Sequence, residues 1–386
     1  MWFAHAIRGP ACLLVVAVHL GYVFWGDQPT AAAIGHFPAL AVGPHGPWPR
    51  AYLTLADWHV YVASVAVCMF FLVSGFVVPF ALERGTLRTF FVRRFFRIYP
   101  TVWACLLINL VALAIQARIL GTAFPYRADD VAGNAFLLSP YLRAPWIEPV
   151  LWSLAIEELF YLLAAFVAWR RALARGSAII LLAAGLTVLS LGAANSELGS
   201  PLFWLACNAT FVIFILLGVV FHQVYRRRWG WLQGAAVIVG LLTAFEVSLY
   251  WGAAAPIAPA YGVSGIIALG LFAAIYRGRE RLPQWKFVGW LGDISFPLYL
   301  VHAVNGYLVL RVVWLATESY YLAIAVALVA TTATATVVHY LVDRPTNEFG
   351  RRMARGMRAR SAAADPVVAA PVDAAVTAPT PVGPAG

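Results

Sequence analysis

The chain has 386 residues, of which 62% are hydrophobic and 11% charged, and its mean hydropathy is +0.79. Soluble domains are roughly half apolar and a quarter charged, so this composition excludes an ordinary soluble protein. The net charge is +10, but the sequence shows no soluble domain with a basic face that could bind nucleic acid. The charge instead fits contact with the anionic lipid of a bilayer.

Apolar runs of about 20 residues recur along the chain, which is the length that a helix needs to cross ~30 Å of hydrocarbon. We therefore predict an all-α polytopic membrane protein, a bundle of about ten transmembrane helices. The predicted spans are residues 7–26, 58–82, 99–119, 151–169, 177–195, 202–223, 231–251, 257–276, 289–314 and 320–342. The first span lacks a basic start and a small-residue cleavage site, so we interpret it as structure and not as a signal peptide.

The basic residues fall in alternate loops. With a cytoplasmic N-terminus, twenty-one of the 27 Lys and Arg residues lie on the cytoplasmic side. The positive-inside rule thus predicts that both termini are cytoplasmic, in a multi-pass protein of the inner (plasma) membrane. Residues 1–345 form the predicted transmembrane domain, and residues 346–386 a basic, then Ala/Pro-rich cytoplasmic tail that we expect to be disordered. The four cysteines have no paired spacing, and no metal-ligand spacing is present, so we expect no metal.

The first span carries two ionisable residues, Arg8 and His19. Eleven residues at ~100° each come close to three whole turns, so the two side chains share one helix face about 16 Å apart. An ionisable group inside a membrane is costly and indicates function by default. The alternative is a purely structural pair, with Arg8 as an interfacial anchor and His19 hydrogen-bonded between helices.

Polar stripes also cross two later spans. Ser153, Glu157 and Tyr161 are spaced i, i+4, i+8 in the fourth span, directly after an aromatic belt that includes Trp152. Because two adjacent carboxylates cannot both face lipid, at least one of Glu157 and Glu158 is expected to point into the bundle, for chemistry or for a structural ion pair. In the ninth span the stripe is Ser295, Tyr299 and His302.

Five motifs follow the Arg8/His19 pair in order. They are "FFLVSGF" (70–76), "FFVRRFFRIYP" (90–100), "LWSLAIEELFYLL" (151–163), "LGDISFPLYLVH" (291–302) and "HYLVDRP" (339–345). Together they make residues 3 to about 352 resemble the acyltransferase-3 family, integral-membrane enzymes that O-acylate sugars and related acceptors. Each motif alone is weak, but their common order on the matching spans of a ten-helix chain is specific.

The resemblance implies an enzyme that moves an acyl group, acetyl most often, from cytoplasmic acyl-CoA to a hydroxyl. Its acceptor would be a cell-envelope glycan, a lipid-linked sugar or a glycosylated metabolite. His19 would be the catalytic base, assisted by Glu157 or Glu158. The remaining roles divide into donor binding, by Arg8, Arg93, Arg94 and Arg97, and acceptor binding, by Trp152, Ser153, Tyr161, Tyr299 and His302. Arg94 and Arg97 are expected just before the third span, where helix N-terminal amides also favour phosphate.

Two positions depart from the family pattern. Cys68 stands where an acidic residue is frequent, and Asp343 stands where glutamate is usual. A carboxylate partner for His19 would then come from Asp27, Asp57 or a fourth-span glutamate, or the base works unaided. The competing class is a transporter of a small polar or glycosylated molecule, although transporters often show repeated halves with broken helices and none are found in this sequence.

Overall fold

The structure is a computed structural model that describes residues 2–41, 54, 58, 61–83, 85–169 and 175–364. These residues contain helices and connecting loops and no β-strand. Nine helices among them are long and apolar enough to cross a membrane, and a tenth apolar helix, Gly176–Gly192, is shorter, with 17 residues. The all-helical prediction is confirmed, with nine candidate spans plus this short helix in place of ten.

The helices in the first half of the chain are α1 (Trp2–Val18), α2 (Gln28–Gly35), α3 (Val62–Glu83), α4 (Leu87–Leu120), α5 (Ala128–Ala135), α6 (Ser139–Leu142) and α7 (Leu151–Trp169). Those in the second half are α8 (Gly176–Gly192), α9 (Pro201–Tyr225), α10 (Trp231–Trp251), α11 (Ala258–Arg277), α12 (Lys286–Thr317), α13 (Tyr320–Val338) and α14 (Arg344–Ala364). After α1 the chain stays helical through a π turn, His19–Val23, and a last turn, Phe24–Gly26.

Helix α4 begins about three turns before the predicted third span. The side chain of Thr86 caps it by accepting a hydrogen bond from the Thr89 N–H (3.3 Å), and the helix then continues unbroken into the apolar segment. Arg94 and Arg97 therefore lie inside a helix, and the expectation that they precede a helix start was wrong. The amide groups of the first turn do not supplement these arginines, so any anion bound by them is bound by side chains.

Two glycines bring α3 and α9 into close contact at the centre of the bundle. A Cβ on Gly75 would lie 2.0 Å from the Ile215 carbonyl oxygen, and one on Gly218 would lie 2.3 Å from the Leu72 carbonyl oxygen. Only glycine permits this backbone approach, which is typical of helix pairs in membranes. The glycine in "LVSGF" thus has a packing role.

Glycines also hold α1 against α12. A Cβ on Gly9 would lie 3.0 Å from the Gly292 backbone nitrogen, and one on Gly292 would lie 2.9 Å from the His5 carbonyl oxygen. This contact places the face of α1 that carries Arg8 and His19 beside the polar stripe of α12.

The C-terminal part of the chain differs from the prediction. After α13 a second π turn, His339–Asp343, leads directly into α14, which is helical as far as Ala364 where disorder was expected from residue 346. Helix α14 packs on α4 through the Phe96 and Phe349 rings, whose centroids are 5.0 Å apart. Residues 365–386 of the predicted tail lie outside the described residues, as does Asp57.

Candidate active site

A cavity of about 470 Å³ opens among the helices at the arginine-rich end of the bundle, and we call it the main cavity. It gathers residues from most of the sequence motifs. Its polar lining residues are His5 and Arg8 on α1, Ser74 on α3, Arg93, Arg94 and Arg97 on α4, Ser153, Glu157 and Tyr161 on α7, Ser295 and Tyr299 on α12, and Asn347 and Arg351 on α14. Segments far apart in sequence therefore meet in one site.

The arginines in this wall are set up to bind an anion. Arg8, Arg97 and Arg351 have no carboxylate within ion-pair distance among the residues that the structure describes. Arg94 lies over the Tyr161 ring, with its Cζ atom 4.6 Å from the ring centroid. Guanidinium groups bind phosphate through paired N–H donors, so three arginines without an ion-pair partner favour an anionic ligand, even though the Glu157 carboxylate lines the same cavity.

The adjacent glutamates are not equivalent. Glu157 lines the main cavity and accepts hydrogen bonds from the Ser74 hydroxyl (2.8 Å) and the Tyr161 hydroxyl (2.6 Å). Glu158 does not line it, and its buried Oε1 has no hydrogen-bond partner among the described residues. Sequence reasoning left the choice open, and the structure brings Glu157 to the site.

His19 pairs with His302. The His19 Nδ1 and His302 Nε2 atoms are 2.7 Å apart, and the two rings are stacked with an interplanar angle of 14°. His302 is fully buried, and its Nδ1 lies 2.9 Å from the Tyr299 carbonyl oxygen. At its Nδ1 atom, His19 therefore contacts an imidazole and not a carboxylate. Of the carboxylates considered, Asp27 instead caps α2 by accepting from the Thr30 N–H (3.1 Å).

These contacts decide where the protons of a neutral histidine pair lie. A carbonyl oxygen only accepts, so His302 Nδ1 carries the hydrogen and its Nε2 is an acceptor. His19 Nδ1 must then donate to His302, which leaves His19 Nε2 unprotonated. The arrangement thus presents a ring nitrogen with a free lone pair, as a general base requires.

A buried carboxylate from a loop holds the backbone next to His302 in place. Glu148, between α6 and α7, is 1% exposed, and its Oε2 accepts from the Val304 N–H (3.3 Å) and the Asn109 amide (3.2 Å). Asn109 also donates to the Leu300 carbonyl oxygen (3.2 Å). The backbone on both sides of His302 is therefore fixed. Burial raises the pKa of the Glu148 carboxyl from 4.5 to about 8.

Sequence reasoning did not single out Glu148. The only available signal is its surroundings, because it lies between Trp146, Ile147 and Pro149, an apolar context that is unusual for an acidic loop residue. Asn109 stands in an apolar span, but no motif there indicates its partner. Spacing along one helix cannot show which loop folds back into the bundle.

The proposed acceptor residues divide into two groups. Ser153, Tyr161 and Tyr299 line the main cavity. Trp152 does not, because its ring packs against Phe71, Phe211 and Tyr261, with the Phe211 centroid 5.5 Å away. His302 also lies outside the lining. The donor residues Arg8, Arg93, Arg94 and Arg97 are all brought together.

The histidine pair lies just beyond the inner end of the main cavity. The lining stops at Ser295 and Tyr299, one turn before His302 on α12. There the Ser153 hydroxyl donates to the Val150 carbonyl oxygen (3.0 Å), so the Tyr299 hydroxyl donates to Ser153 (3.0 Å). Ser153 and Tyr299 both line the main cavity, and the centroid of the Tyr299 ring lies 5.8 Å from that of His302.

The fold is that of a multi-pass membrane protein, and its site joins an arginine-lined cavity to a nearby histidine pair. Residues 2–341 match the family model described as the acyltransferase domain of the acyltransferase-3 group, so the chain belongs to this family. The protein is an acyltransferase, and the transporter interpretation does not apply to it.

Two curated proteins are similar to this chain. Acyltransferase MdmB of Streptomyces mycarofaciens is 26% identical over 90% of this chain and 92% of its own length. Nodulation protein 10 of Rhizobium leguminosarum bv. viciae is 26% identical over 65% of this chain and 74% of its own length. No solved structure matches the chain.

Proposed function

We propose that this acyltransferase moves an acyl group, acetyl in the simplest case, from cytoplasmic acyl-CoA to a hydroxyl of a carbohydrate or glycosylated acceptor. The observation that carries the proposal is the main cavity itself. It is lined by Arg8, Arg97 and Arg351, which have no carboxylate partner among the described residues, and its lining reaches Tyr299, one turn from the His302 that pairs with His19. In this proposal the inner membrane orients the opening of this cavity to the cytoplasm, where acyl-CoA is made.

Donor binding follows from the chemistry of the cavity wall. The phosphates of acyl-CoA would lie against Arg8, Arg97 and Arg351, because each guanidinium group supplies donors that nothing else in the described chain occupies. The uncharged arm would extend inward between Phe70, Phe71 and Val77, which also line the cavity. The thioester would then reach the Tyr299–Ser153 contact, which opens for transfer in this proposal.

The proposed reaction needs a single base, which first accepts and then returns one proton. His19 Nε2 takes the proton of the acceptor hydroxyl as its oxygen attacks the thioester carbonyl carbon. The new carbon–oxygen bond forms, the carbon–sulfur bond breaks, and the coenzyme leaves as a thiolate that receives the proton from His19. Positioning of the two substrates supplies much of the remaining rate enhancement. An acyl-histidine intermediate at His19 is the second route, and it uses the same nitrogen.

For the acceptor side, the proposal draws on buried polar atoms of α4, of α12 and of the loop before α7. Gln116 Nε2, Glu148 Oε1 and the Tyr307 hydroxyl are buried and have no hydrogen-bond partner among the described residues. Leaving such groups unpaired costs roughly 1–3 kcal/mol each, so a ligand rich in hydroxyls would be stabilised there. A cell-envelope glycan, a lipid-linked sugar and a glycosylated metabolite all meet this description.

The test uses purified protein in nanodiscs with radiolabelled acetyl-CoA. Polar metabolites and lipid-linked glycans, extracted from cells that lack the protein, serve as the acceptor pool. We expect an acetyl ester, identified by mass spectrometry, that forms with wild type and with Thr331→Val, a buried control on α13 whose hydroxyl bonds only its own helix. Transport of an extract component without release of coenzyme thiol, or ester formation that persists in His19→Ala, would contradict the proposal.

A further inference from the structure

A second cavity of about 320 Å³ adjoins the main cavity, and we call it the side cavity. The two share Arg8, Arg97, Asn347 and Arg351 in their common wall. The far wall of the side cavity comes from the start of α12 and from the π turn that joins α13 to α14. Neither the motifs nor the mechanism above assigns this space a role.

The two cavities differ in chemistry. The inner part of the main cavity is lined by Phe70, Phe71, Val77 and other apolar side chains. The side cavity is lined mainly by ionisable and amide side chains, including His5, Asp293, His339 and Asp343. A single ligand that fills both cavities must therefore have two parts. A slender, weakly polar part would occupy the main cavity, and a compact part with many hydrogen-bonding groups would occupy the side cavity. The two parts would be joined at the common wall that carries Arg8, Arg97 and Arg351.

The far wall carries a fixed hydrogen-bonding pair. Asp343 is buried, and its carboxylate accepts from His339 Nδ1 (2.9 Å) and from the Thr101 hydroxyl (3.3 Å). With Nδ1 donating to Asp343, the Nε2 atom of neutral His339 is an acceptor with no described partner. A carboxylate repels a phosphate, so this wall suits neutral donors such as a ribose hydroxyl or a base amino group.

Arg344 stands at the exposed edge of the same cavity. Its Nε donates to Glu348 at 3.2 Å, and both side chains are largely exposed. Exposed ion pairs of this kind contribute only about 0–1 kcal/mol, so an incoming phosphate can replace the glutamate at small cost. The side cavity thus offers an inner wall whose carboxylate repels phosphate and a rim with an arginine that can bind it.

We propose that the side cavity binds the 3′-phosphorylated nucleoside end of the acyl-CoA donor, which rests on the proposed function. The diphosphate lies at the shared wall between Arg8, Arg97 and Arg351. The nucleoside contacts the His339–Asp343 pair, the 3′-phosphate lies at Arg344, and the pantetheine arm turns into the main cavity.

The test measures equilibrium binding of tritiated acetyl-CoA to the full chain in nanodiscs. Competitors are CoA, 3′-dephospho-CoA and adenosine 3′,5′-bisphosphate. We expect adenosine 3′,5′-bisphosphate to compete in wild type. Arg344→Gln should weaken CoA binding about tenfold and 3′-dephospho-CoA binding less than twofold, because only the former offers the 3′-phosphate. His339→Gln should weaken adenosine 3′,5′-bisphosphate competition about tenfold.

The matched control is Arg355→Gln, an exposed arginine on the same helix that lines neither cavity. It should bind every competitor as wild type does. If acetyl-CoA binds wild type but Arg344→Gln weakens CoA and 3′-dephospho-CoA equally, or neither, the side-cavity assignment is wrong and the proposed function stands. If wild type binds no acetyl-CoA at all, the proposed function and this inference both fail.

Discussion

The arginine-rich end of the bundle and its middle are both polar inside an apolar protein, yet their polar groups are used differently. At the arginine-rich end, Arg8, Arg97 and Arg351 line open space without carboxylate partners among the described residues. In the middle, His19 and His302 are bonded to each other, and Tyr299 to Ser153. Arginines without an ion-pair partner are available to bind an anionic ligand, whereas a hydrogen-bonded network holds its side chains in one orientation.

The largest effect of a supporting residue should come from the middle. His302→Ala removes the acceptor that fixes the His19 tautomer, so we expect kcat to fall about 10²–10³-fold with little change in the KM for acetyl-CoA. His302→Gln can accept from His19 Nδ1 and donate to the Tyr299 carbonyl oxygen, and should recover part of the rate. Steady-state acetyl transfer checks both. A rise in KM alone, or no recovery with glutamine, would show that the network does not act through His19.

Substitutions at the arginine-rich end should weaken binding of the acyl donor. Arg97→Ala removes a charge-assisted contact worth about 1.5–3 kcal/mol, so the KM for acetyl-CoA should rise about 10- to 100-fold with a small change in kcat. Arg355→Gln, on the exposed face of α14, serves as the control for lost surface charge. An equal rise in the control would mean that Arg97 acts only through the general field of the protein.

Substitutions of Glu157 and Glu158 test which of the two residues belongs to the arginine-rich end of the bundle. Glu157→Gln weakens the acceptor for the Ser74 and Tyr161 hydroxyls beside the arginines, and we expect kcat/KM to fall about tenfold. Glu158→Gln, one residue away and outside the main cavity, should stay within about twofold. Paired kinetic measurements decide the assignment, and the opposite ranking would show that Glu158, and not Glu157, acts at the site.

The smallest effect concerns stability and pH. Because burial raises the pKa of Glu148 from 4.5 to about 8, the folded protein keeps a proton that the unfolded chain has lost within that window. Its contribution to the free energy of unfolding is therefore fully present below about pH 4.5 and is lost as pH rises toward about 8. Glu148→Gln should flatten this fall.

Thermal unfolding in detergent at several pH values within that window tests this expectation. The slope of the unfolding midpoint against pH is compared between wild type and Glu148→Gln, so that other titrating groups cancel. Identical slopes would mean that Glu148 is ionised throughout. The arrangement of the middle network around Glu148 would then need a charged carboxylate.

Sequence reasoning predicted the all-helical membrane fold because each span needs only a long apolar run. It also predicted the main cavity residues on α4 and α7, since helical spacing places Ser153, Glu157 and Tyr161 on one face. It misplaced the start of α4, because the arginines of the first turns interrupt the apolar run and the helix, capped by Thr86, begins before that run.

The middle of the site was harder to predict. The contact between His19 and His302 joins α1 to α12 across 283 positions, and nothing local to either helix encodes it. The sequence leaves Asp27, Asp57, a fourth-span glutamate or no carboxylate at all as the partner of His19. Glu148, the carboxylate that supports the pair through the backbone, comes from a loop whose folding into the bundle is a tertiary event.

The central claim is that His19 Nε2 is the base that accepts the acceptor's proton. The most direct measurement is made on one nanodisc preparation each of wild type and His19→Ala, recording acetyl-CoA affinity and acetyl-ester formation side by side. We predict affinity within about threefold of wild type and ester formation reduced on the order of 10³-fold. Ester formation at a rate near that of wild type in the variant would contradict this account.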